Sequence, residues 1–390
     1  MIKQFHLSFV EQARNIFGDD FIPLHRPVFQ GNERQYLLDC IDSNFVSSIG
    51  EKVGEFEKKV SEFTGSNYAI ATVNGTSALH TAILLSGVRP GDEVISQSLS
   101  FIATCNSVTY AGAKPVFIDV DLDTMGLSPL ALKVFLESNA EKRVDGTFNK
   151  SSGKKISACI PMHTFGFPCR ITEIAEICDE WDIALIEDAA ESLGSYVGGR
   201  HTGTFAPLSV LSFNGNKIIT TGGGGMIITN DYELAKRAKH ITTTSKVPHS
   251  FEFVHDETGY NYRMPNLNAA LGCAQMEQLK EFLKIKENLA NEWDTFFQER
   301  DIGFVKAING NNANHWLNAI ILNFRKDRDE FLKVTHDNNV MTRPIWNLMS
   351  KLPMFQDCQT DGLENSFWLE DRVMNIPSSV SDAALTKLKK

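Results

Sequence analysis

The sequence predicts an α/β fold with a mostly parallel central sheet, flanking helices and a smaller C-terminal α+β domain. Between residues 68 and 241, short apolar runs alternate with runs of helical spacing, as in parallel strands joined by crossover helices. After Pro265 this alternation stops, and a long helical tract leads into a single strand-like run. We therefore predict a large α/β domain at residues 1–265 and a small α+β domain at residues 266–390.

The predicted elements follow one another regularly along the chain. Residues 31–63 have helical spacing and give the large domain an N-terminal helical segment. Seven strands are predicted at 68–73, 93–97, 115–120, 157–162, 183–187, 209–213 and 225–229. Crossover helices are predicted at 78–85, 102–110 and 171–181, and a polar surface excursion at 139–155. In the small domain a helix is predicted at about 267–299 and a strand at 317–324.

Composition limits the classes of function. The 390 residues include 38 Lys and Arg against 48 Asp and Glu, a formal net charge of -10. Such a chain has little nonspecific affinity for nucleic acid or anionic membranes, so we predict neither as a partner. The seven cysteines are scattered and never spaced as C-x-x-C, which favours a reducing compartment, and we predict no metal site. Neither a signal peptide nor a membrane-spanning run is recognisable, so we expect a cytoplasmic protein.

Three of the predicted strands end in residues that suit one small-molecule site. The first strand leads into Gly75, the fifth leads into Asp188, and the sixth is followed by Lys217. Because strand ends of an open α/β sheet line one crevice, these segments can converge on one ligand. An amine nucleophile, a carboxylate and an anion-binding turn are the groups needed to hold pyridoxal phosphate. The sequence therefore predicts a pyridoxal phosphate site.

Lys217 and Asp188 are the candidate catalytic pair. A lysine is ordinarily a solvated surface charge, but Lys217 follows an apolar strand and precedes a glycine-rich run. Partial desolvation favours the free amine that a Schiff base requires. Asp188 either caps a helix or keeps the cofactor's pyridine nitrogen protonated. Both alternatives place it at a strand end, so the sequence leaves them open.

Small polar residues near the first strand are candidates for holding the cofactor's phosphate. Gly75, Thr76 and Ser77 precede an apolar helix, whose positive end could bind the phosphate, although a plain N-cap is equally consistent. Ser212, at the end of the sixth strand, can add a hydroxyl to the same phosphate. Phe101 lies at another strand-to-helix junction, where it either stacks on an aromatic ring or belongs to the core.

Four motifs occur in one order along the chain. They are NGTSAL at 74–79, EDAAES at 187–192, the segment from Ser212 to the TTG at 220–222, and GYNYRM at 259–264. Together they resemble the nucleotide-sugar aminotransferases of the DegT and StrS group, which are fold type I pyridoxal phosphate enzymes. The resemblance spans roughly residues 22–380. The runs PMHTFG at 161–166 and TTGGGG at 220–225 look most similar to aminotransferases of bacillosamine and legionaminic acid pathways.

The resemblance implies a role for each matching residue. Lys217 would form the Schiff base and shuttle the proton, Asp188 would pair with the pyridinium nitrogen, and Phe101 would stack on the ring. Glu191 matches a position near the ring hydroxyl where the family often has Gln or His. A carboxylate there must be protonated or paired elsewhere. The phosphate would be held by Gly75, Thr76, Ser77 and Ser212.

The resemblance also implies partners. Asn261 matches a residue that reaches the phosphate from the neighbouring subunit, which implies a homodimer with shared active sites. His163 is expected near the cofactor or the sugar as a catalytic residue, although a lone histidine on a strand is more often structural. Arg263 and Arg343 are candidates for the carboxylates of L-glutamate by bidentate pairing. The candidates for the nucleotide's diphosphate are Lys246 and His255.

The resemblance implies transfer of an amino group from L-glutamate to a UDP-linked 4-keto-6-deoxy (N-acetylamino) sugar, with a GDP- or TDP-linked keto sugar as the alternative. A related dehydratase would have histidine in place of Lys217. A regulatory or binding protein on the same fold would have lost Lys217 or Asp188. An NAD-dependent dehydrogenase would need a glycine fingerprint after the first strand, which is missing. The two retained residues favour the aminotransferase.

Overall fold

A computed structural model describes residues 2–381, 384 and 385. The predicted large domain begins at Met1 and the predicted small domain ends at Lys390, and both residues lie outside the described part of the chain. The boundary predicted at residue 265 falls where a helix of 33 residues begins, Asn266–Gln298. The division into two domains stays a prediction.

The central sheet has seven strands. They are β1 (Tyr68–Thr72), β2 (Glu93–Gln97), β3 (Lys114–Ile118), β4 (Ile156–Ile160), β5 (Ala184–Asp188), β6 (Leu208–Ser212) and β7 (Gly225–Thr229). Their spatial order is β1-β7-β6-β5-β4-β2-β3. Strand β7 is antiparallel to β1 and β6, and the other neighbouring pairs are parallel. The predicted mostly parallel sheet is confirmed, and the bounds of the seven strands predicted between residues 68 and 229 lie within two residues of the observed ones.

The described part of the chain contains eleven α-helices. They are α1 (Ile2–Phe17), α2 (Glu33–Asp42), α3 (Glu51–Thr64), α4 (Gly75–Leu85), α5 (Ile102–Tyr110), α6 (Pro129–Asn139), α7 (Ile171–Glu180), α8 (Tyr232–Thr242), α9 (Asn266–Gln298), α10 (Arg325–Asp337) and α11 (Glu364–Glu370). The predicted crossover helices are confirmed as α4, α5 and α7. The predicted helical segment at 31–63 is two helices, because Asn44 takes a left-handed φ of 63° between them.

Both faces of the central sheet are covered by helices. On one face, Ile70 and Val210 pack in a cluster with Ala82 of α4 and Ala238 of α8. On the other face, Leu211 packs with residues of α3 and α9. Apolar burial on both faces leaves the strand ends as the open edge of the sheet, so polar residues that follow the strands are free to build a site.

A second sheet lies in the C-terminal part of the chain. It consists of β8 (Gly303–Phe304), β9 (Asn318–Ile321), β10 (Arg343–Pro344) and β11 (Val373–Ile376), in the order β8-β9-β11-β10 and antiparallel throughout. Side chains alternate between its faces. Ile320 and Met374 join the cluster of α1, α9 and α10. Ala319 and Val373 join the cluster that includes Leu211 of the central sheet, so this face is turned towards the central sheet.

The remaining strands are short. They are the ribbon Ala140–Arg143 with Gly146–Asn149, the ribbon Lys246–Val247 with Val254–His255, and the three strands Tyr196–Val197, Arg200–His201 and Asn311–Asn312. The first ribbon forms most of the predicted polar excursion at 139–155. Within residues 2–381 and 384–385, no helix combines the length and apolarity needed to cross a membrane.

Candidate active site

A cavity of about 510 Å³ lies between the ends of the central strands and the inner face of the C-terminal sheet. Polar and apolar side chains from both sheets line it. Eight of the predicted site residues meet there: Gly75, Thr76, Phe101, Asp188, Glu191, Ser212, Lys217 and Arg343. The fold therefore brings these eight residues to one place from five separate segments of the chain, and the segments that follow β1, β5 and β6 converge as predicted.

Asp188 ends β5 and is almost fully buried. The Thr104 hydroxyl donates to Asp188 Oδ2 at 2.7 Å, and the Ala190 amide donates to Oδ1 at 3.2 Å. Burial raises the pKa of the Asp188 carboxyl, while these two hydrogen bonds and the charge of Lys217 oppose the rise. The helix-cap alternative is wrong, because no helix begins between Asp188 and β6.

Lys217 follows β6, and its ammonium forms an ion pair with Glu191. Lys217 Nζ lies 3.1 Å from Glu191 Oε1 and 3.8 Å from the centre of the Trp316 ring. The amide of Phe165 donates to the other oxygen of Glu191 at 2.8 Å. Burial raises the pKa of the Glu191 carboxyl, and Lys217 and the Phe165 amide oppose the rise. The resemblance implied that a carboxylate at position 191 must be protonated or have another partner. The structure gives Glu191 such a partner, the ammonium of Lys217.

The turn from β1 into α4 supplies the anion-binding end of the cavity. Asn74 caps α4, since its Oδ1 accepts the Ser77 amide at 2.8 Å. Other amides of the first turn of an α-helix have no partner within the helix, and Gly75 and Thr76 of this turn line the cavity. Ser77 does not line it. Both alternatives therefore hold: Asn74 caps the helix through the Ser77 amide, and the helix end at Gly75 and Thr76 still faces the cavity.

Two glycines allow this turn to lie against its neighbours. A Cβ atom on Gly75 would lie 3.1 Å from Ser212 Cβ. A Cβ atom on Gly225, at the start of β7, would lie 2.4 Å from the carbonyl oxygen of Asn74. The last position of the glycine run at 222–225 therefore requires glycine, because β7 passes directly beside the start of α4 there.

His163 lies behind Asp188 and does not line the cavity. Its ring is completely buried, and its Nδ1 accepts the Cys169 amide at 3.2 Å, so Nε2 carries the hydrogen. Nε2 donates to Glu187 Oε1 at 2.7 Å. The expected contact of His163 with a ligand is not found, because the ring turns towards Glu187 instead of towards the cavity. Only its backbone amide contacts the Asp188 carbonyl, at 3.3 Å.

Four other predicted residues also lie outside the cavity lining. Asn261 is exposed, and its backbone forms an isolated antiparallel β-bridge with Thr243. The Arg263 guanidinium donates to the Ser48 carbonyl at 3.1 Å. Lys246 lies 4.2 Å from the centre of the Phe253 ring, and His255 Nδ1 lies 2.8 Å from the Thr244 carbonyl. Within one chain, these four do not reach the residues around Lys217.

Sequence reasoning missed several residues that line the cavity, among them Thr104, Trp316, Trp346 and Asn375. Thr104 stands three residues after Phe101 at the same strand-to-helix junction, so a search for hydroxyls there would have found it. The Trp346 ring lies 6.1 Å from the Phe101 ring and 4.7 Å from the Phe165 ring. Both tryptophans and Asn375 come from the C-terminal sheet region, where no local pattern marks a site.

Comparisons with known proteins agree with this geometry. Residues 27–385 match the model of the DegT/DnrJ/EryC1/StrS aminotransferase family. The GDP-perosamine synthase of Escherichia coli O157:H7 is 34% identical, over 86% of this chain and 88% of that protein. EpsN of Bacillus subtilis, named a putative pyridoxal phosphate-dependent aminotransferase, is 34% identical over 86% of this chain and 84% of its own.

A solved structure shares the fold. PseC of Helicobacter pylori, an aminotransferase involved in the biosynthesis of pseudoaminic acid, superposes with a TM-score of 0.84 over 95% of this chain and 97% of that chain. The identity of 21% makes this a likeness of fold alone.

Proposed function

The chain belongs to the DegT/DnrJ/EryC1/StrS aminotransferase family, and on this premise we propose that it moves an amino group from L-glutamate to a nucleotide-linked 4-keto-6-deoxy sugar. Aminotransferase activity and the pyridoxal phosphate cofactor follow from the family. The donor and the sugar are our proposals. The observation that supports an amino-group transfer at this site is the convergence of Lys217, Asp188 and the start of α4 in one cavity.

The residues of this cavity fit the cofactor. The helix end at Gly75 and Thr76, with Ser212 beside it, would hold the phosphate. Asp188 would hold the pyridine nitrogen in its protonated form, and Phe101 would lie against the ring. The cofactor, when bound, supplies a carbonyl that reacts with amines and a ring that accepts electrons from the neighbouring carbon.

Lys217 would act as nucleophile and as the base that moves a proton between substrate and cofactor carbons. Its pairing with Glu191 orients the amine, and both side chains are largely buried. Trp316 covers the same amine from another side. Glu191 would lie near the ring hydroxyl and receive a proton or donate one there as the charge on Lys217 changes.

Two nucleotides compete as the carrier of the sugar. Resemblance of residues 161–166 and 220–225 to bacillosamine and legionaminic acid enzymes supports a UDP-linked N-acetylamino sugar. The GDP-perosamine synthase name of the relative at 34% identity supports a GDP-linked sugar. Arg343, at the cavity, is our candidate for binding a substrate anion. Arg263 stays a candidate only as a group offered to a neighbouring subunit.

We also propose a homodimer and a cytoplasmic location. The exposed position of Asn261 supports the dimer, because the residue is free to reach a neighbouring subunit's cofactor phosphate. The seven cysteines are all unpaired and buried, which supports a reducing compartment.

The proposed reaction is tested by mass spectrometry and by product analysis. Borohydride reduction of the cofactor-loaded protein should add the cofactor's mass to the peptide that contains Lys217. The protein should then aminate one member of a panel of UDP-, GDP- and TDP-linked 4-keto-6-deoxy sugars with L-glutamate as donor. Mass at a different lysine would refute the assignment of Lys217, and amination of none of the panel would refute the sugar class.

A further inference from the structure

Asn375 is a polar residue in an apolar position of the C-terminal sheet. Asn375 lies in β11, directly opposite Ala319 of β9 and on the same face of the sheet as Val373. Ala319 and Val373 both belong to the core between the two sheets. The Asn375 side chain is 3% exposed, and its Nδ2 is buried with no hydrogen-bond partner among the described residues. Burying an amide without a partner is unfavourable, so this position favours a ligand that completes it.

Arg343 is the cross-strand neighbour of Asn375. The two residues are directly opposite in the antiparallel pair β10 and β11, so their side chains lie on one face of the sheet. Both line the cavity. Arg343 is exposed at this wall, and among the described residues no carboxylate pairs with it. A guanidinium beside an amide donor forms a pair of groups that both donate hydrogen bonds.

The charges of the cavity direct an anion to this pair. Of the described lining residues, Asp188 and Glu191 are acidic, and Lys217 and Arg343 are basic. Lys217 is already paired with Glu191. The cofactor's phosphate is assigned to the helix end at Gly75, so a further anion finds its free cation at Arg343.

We infer that Arg343 and Asn375 form an oxyanion subsite that binds a carboxylate or phosphate of the substrate. The inference rests on the proposed function, since it concerns that enzyme's substrates. Two groups share this chemistry: a carboxylate of the amino donor and the diphosphate of the nucleotide. Arg343 offers the bidentate fork, and Asn375 adds a neutral donor whose burial is tolerated because the ligand satisfies it.

The test uses the cofactor-loaded protein and two probes. L-Glutamate is followed by the loss of the visible absorbance band as a function of its concentration. GDP and UDP are followed by titration calorimetry, which does not depend on turnover. The variants are Asn375→Leu, Arg343→Met and the double variant. The matched control is Asn318→Leu, because Asn318 is likewise a buried asparagine, in the neighbouring strand β9, but belongs to the opposite face.

Both single variants should weaken the same probe by roughly tenfold or more, and the double variant should weaken it by less than the product of the two. Loss confined to L-glutamate identifies the donor's carboxylate, and loss confined to the nucleotides identifies the diphosphate. Asn318→Leu should bind both probes as the wild type does. Should Asn375→Leu fail to fold, Asn375→Ser replaces it, since it shortens the side chain and withdraws the amide.

The inference is overturned if both variants bind both probes with wild-type affinity, or if the wild type binds neither probe. Failure of the proposed function gives a different result. In that case L-glutamate leaves the wild-type band unchanged, while the calorimetric titration with GDP and UDP still reports on Arg343 and Asn375.

Discussion

Lys217 and Glu191 show how single residues prepare this cavity for chemistry. A lysine ammonium and a carboxylate lie 3.1 Å apart where little solvent reaches them, so each limits the positions that the other can take. Such a buried pair contributes little net stability, because desolvation offsets the attraction. We infer that the pair serves orientation and proton transfer instead. Two further contacts, a steric one at Gly225 and a hydrogen bond of Thr104, can each be tested by a single substitution.

Gly225→Ala should weaken cofactor binding and destabilise the fold. The added methyl would lie 2.4 Å from the Asn74 carbonyl oxygen, so the start of α4 must shift. Overpacking of this kind costs about 1–3 kcal/mol of unfolding free energy. Gly223→Ala is the matched control, because its Cβ would meet nothing closer than 3.9 Å. Urea unfolding and fluorescence titration with pyridoxal phosphate measure both effects, and equal behaviour of the two variants would contradict the steric argument.

Thr104→Val should lower the turnover number, and because it leaves the buried Asp188 carboxylate without one of its donors, it should also lower the free energy of unfolding by about 1–3 kcal/mol. The variant keeps the shape of the side chain but removes the 2.7 Å hydrogen bond to Asp188, which leaves that carboxylate less well held. A hydrogen bond to a charged group contributes about 1.5–3 kcal/mol, which corresponds to roughly a 10- to 100-fold loss of rate if it acts fully in the transition state. Thr109→Val, on the same helix, is the control. Equal rates for both variants in a coupled glutamate assay would refute a role for Thr104.

At the scale of elements, the strands of the central sheet were predictable because each is a short apolar run, and the sheet topology then brings their ends together. Lys217, Asp188 and the start of α4 could therefore be placed from sequence. His163 could not, because its partner Glu187 is chosen by packing and not by spacing. Trp316 and Asn375 reach the cavity from the C-terminal sheet, through contacts between distant segments that no local pattern records.

The long helix α9 carries a buried cation, Lys286. Its ammonium donates to the carbonyls of Trp316, at 3.2 Å, and of Ser378. Burial lowers the pKa of Lys286 to about 7. The unfolded chain therefore binds more protons than the folded one between about pH 7 and the ordinary lysine pKa, and stability should rise with pH across this window.

Comparison with Lys286→Met isolates this effect. From pH 7 to pH 9 the wild type should gain roughly 2 kcal/mol of unfolding free energy relative to the variant. Lys284→Met replaces an exposed lysine of the same helix. The wild type should show no such gain of unfolding free energy relative to this variant. Urea unfolding at both pH values measures the difference. A wild-type gain equal to that of Lys286→Met would show that Lys286 keeps its ordinary pKa in the folded protein.

At the scale of the whole molecule, the proposed dimer makes a prediction about shared sites. If Asn261 completes the neighbouring subunit's site, Lys217→Ala and Asn261→Ala damage the two halves of one site from different chains. Each variant alone should have low activity. Heterodimers assembled from the two should regain activity, because one of their two sites contains both intact residues. Purified heterodimers carrying two affinity tags provide the assay, and no recovery would contradict a site shared through Asn261.

The central claim is that Lys217 binds the cofactor and that L-glutamate is the amino donor. The most direct measurement is the visible absorption spectrum of the cofactor-loaded protein, before and after L-glutamate, for the wild type, Lys217→Ala and the exposed-lysine control Lys284→Ala. We expect the wild type and Lys284→Ala to show a visible band that L-glutamate removes, and Lys217→Ala to show no such response. A wild-type band that L-glutamate leaves unchanged, or the same response in Lys217→Ala, would contradict the claim.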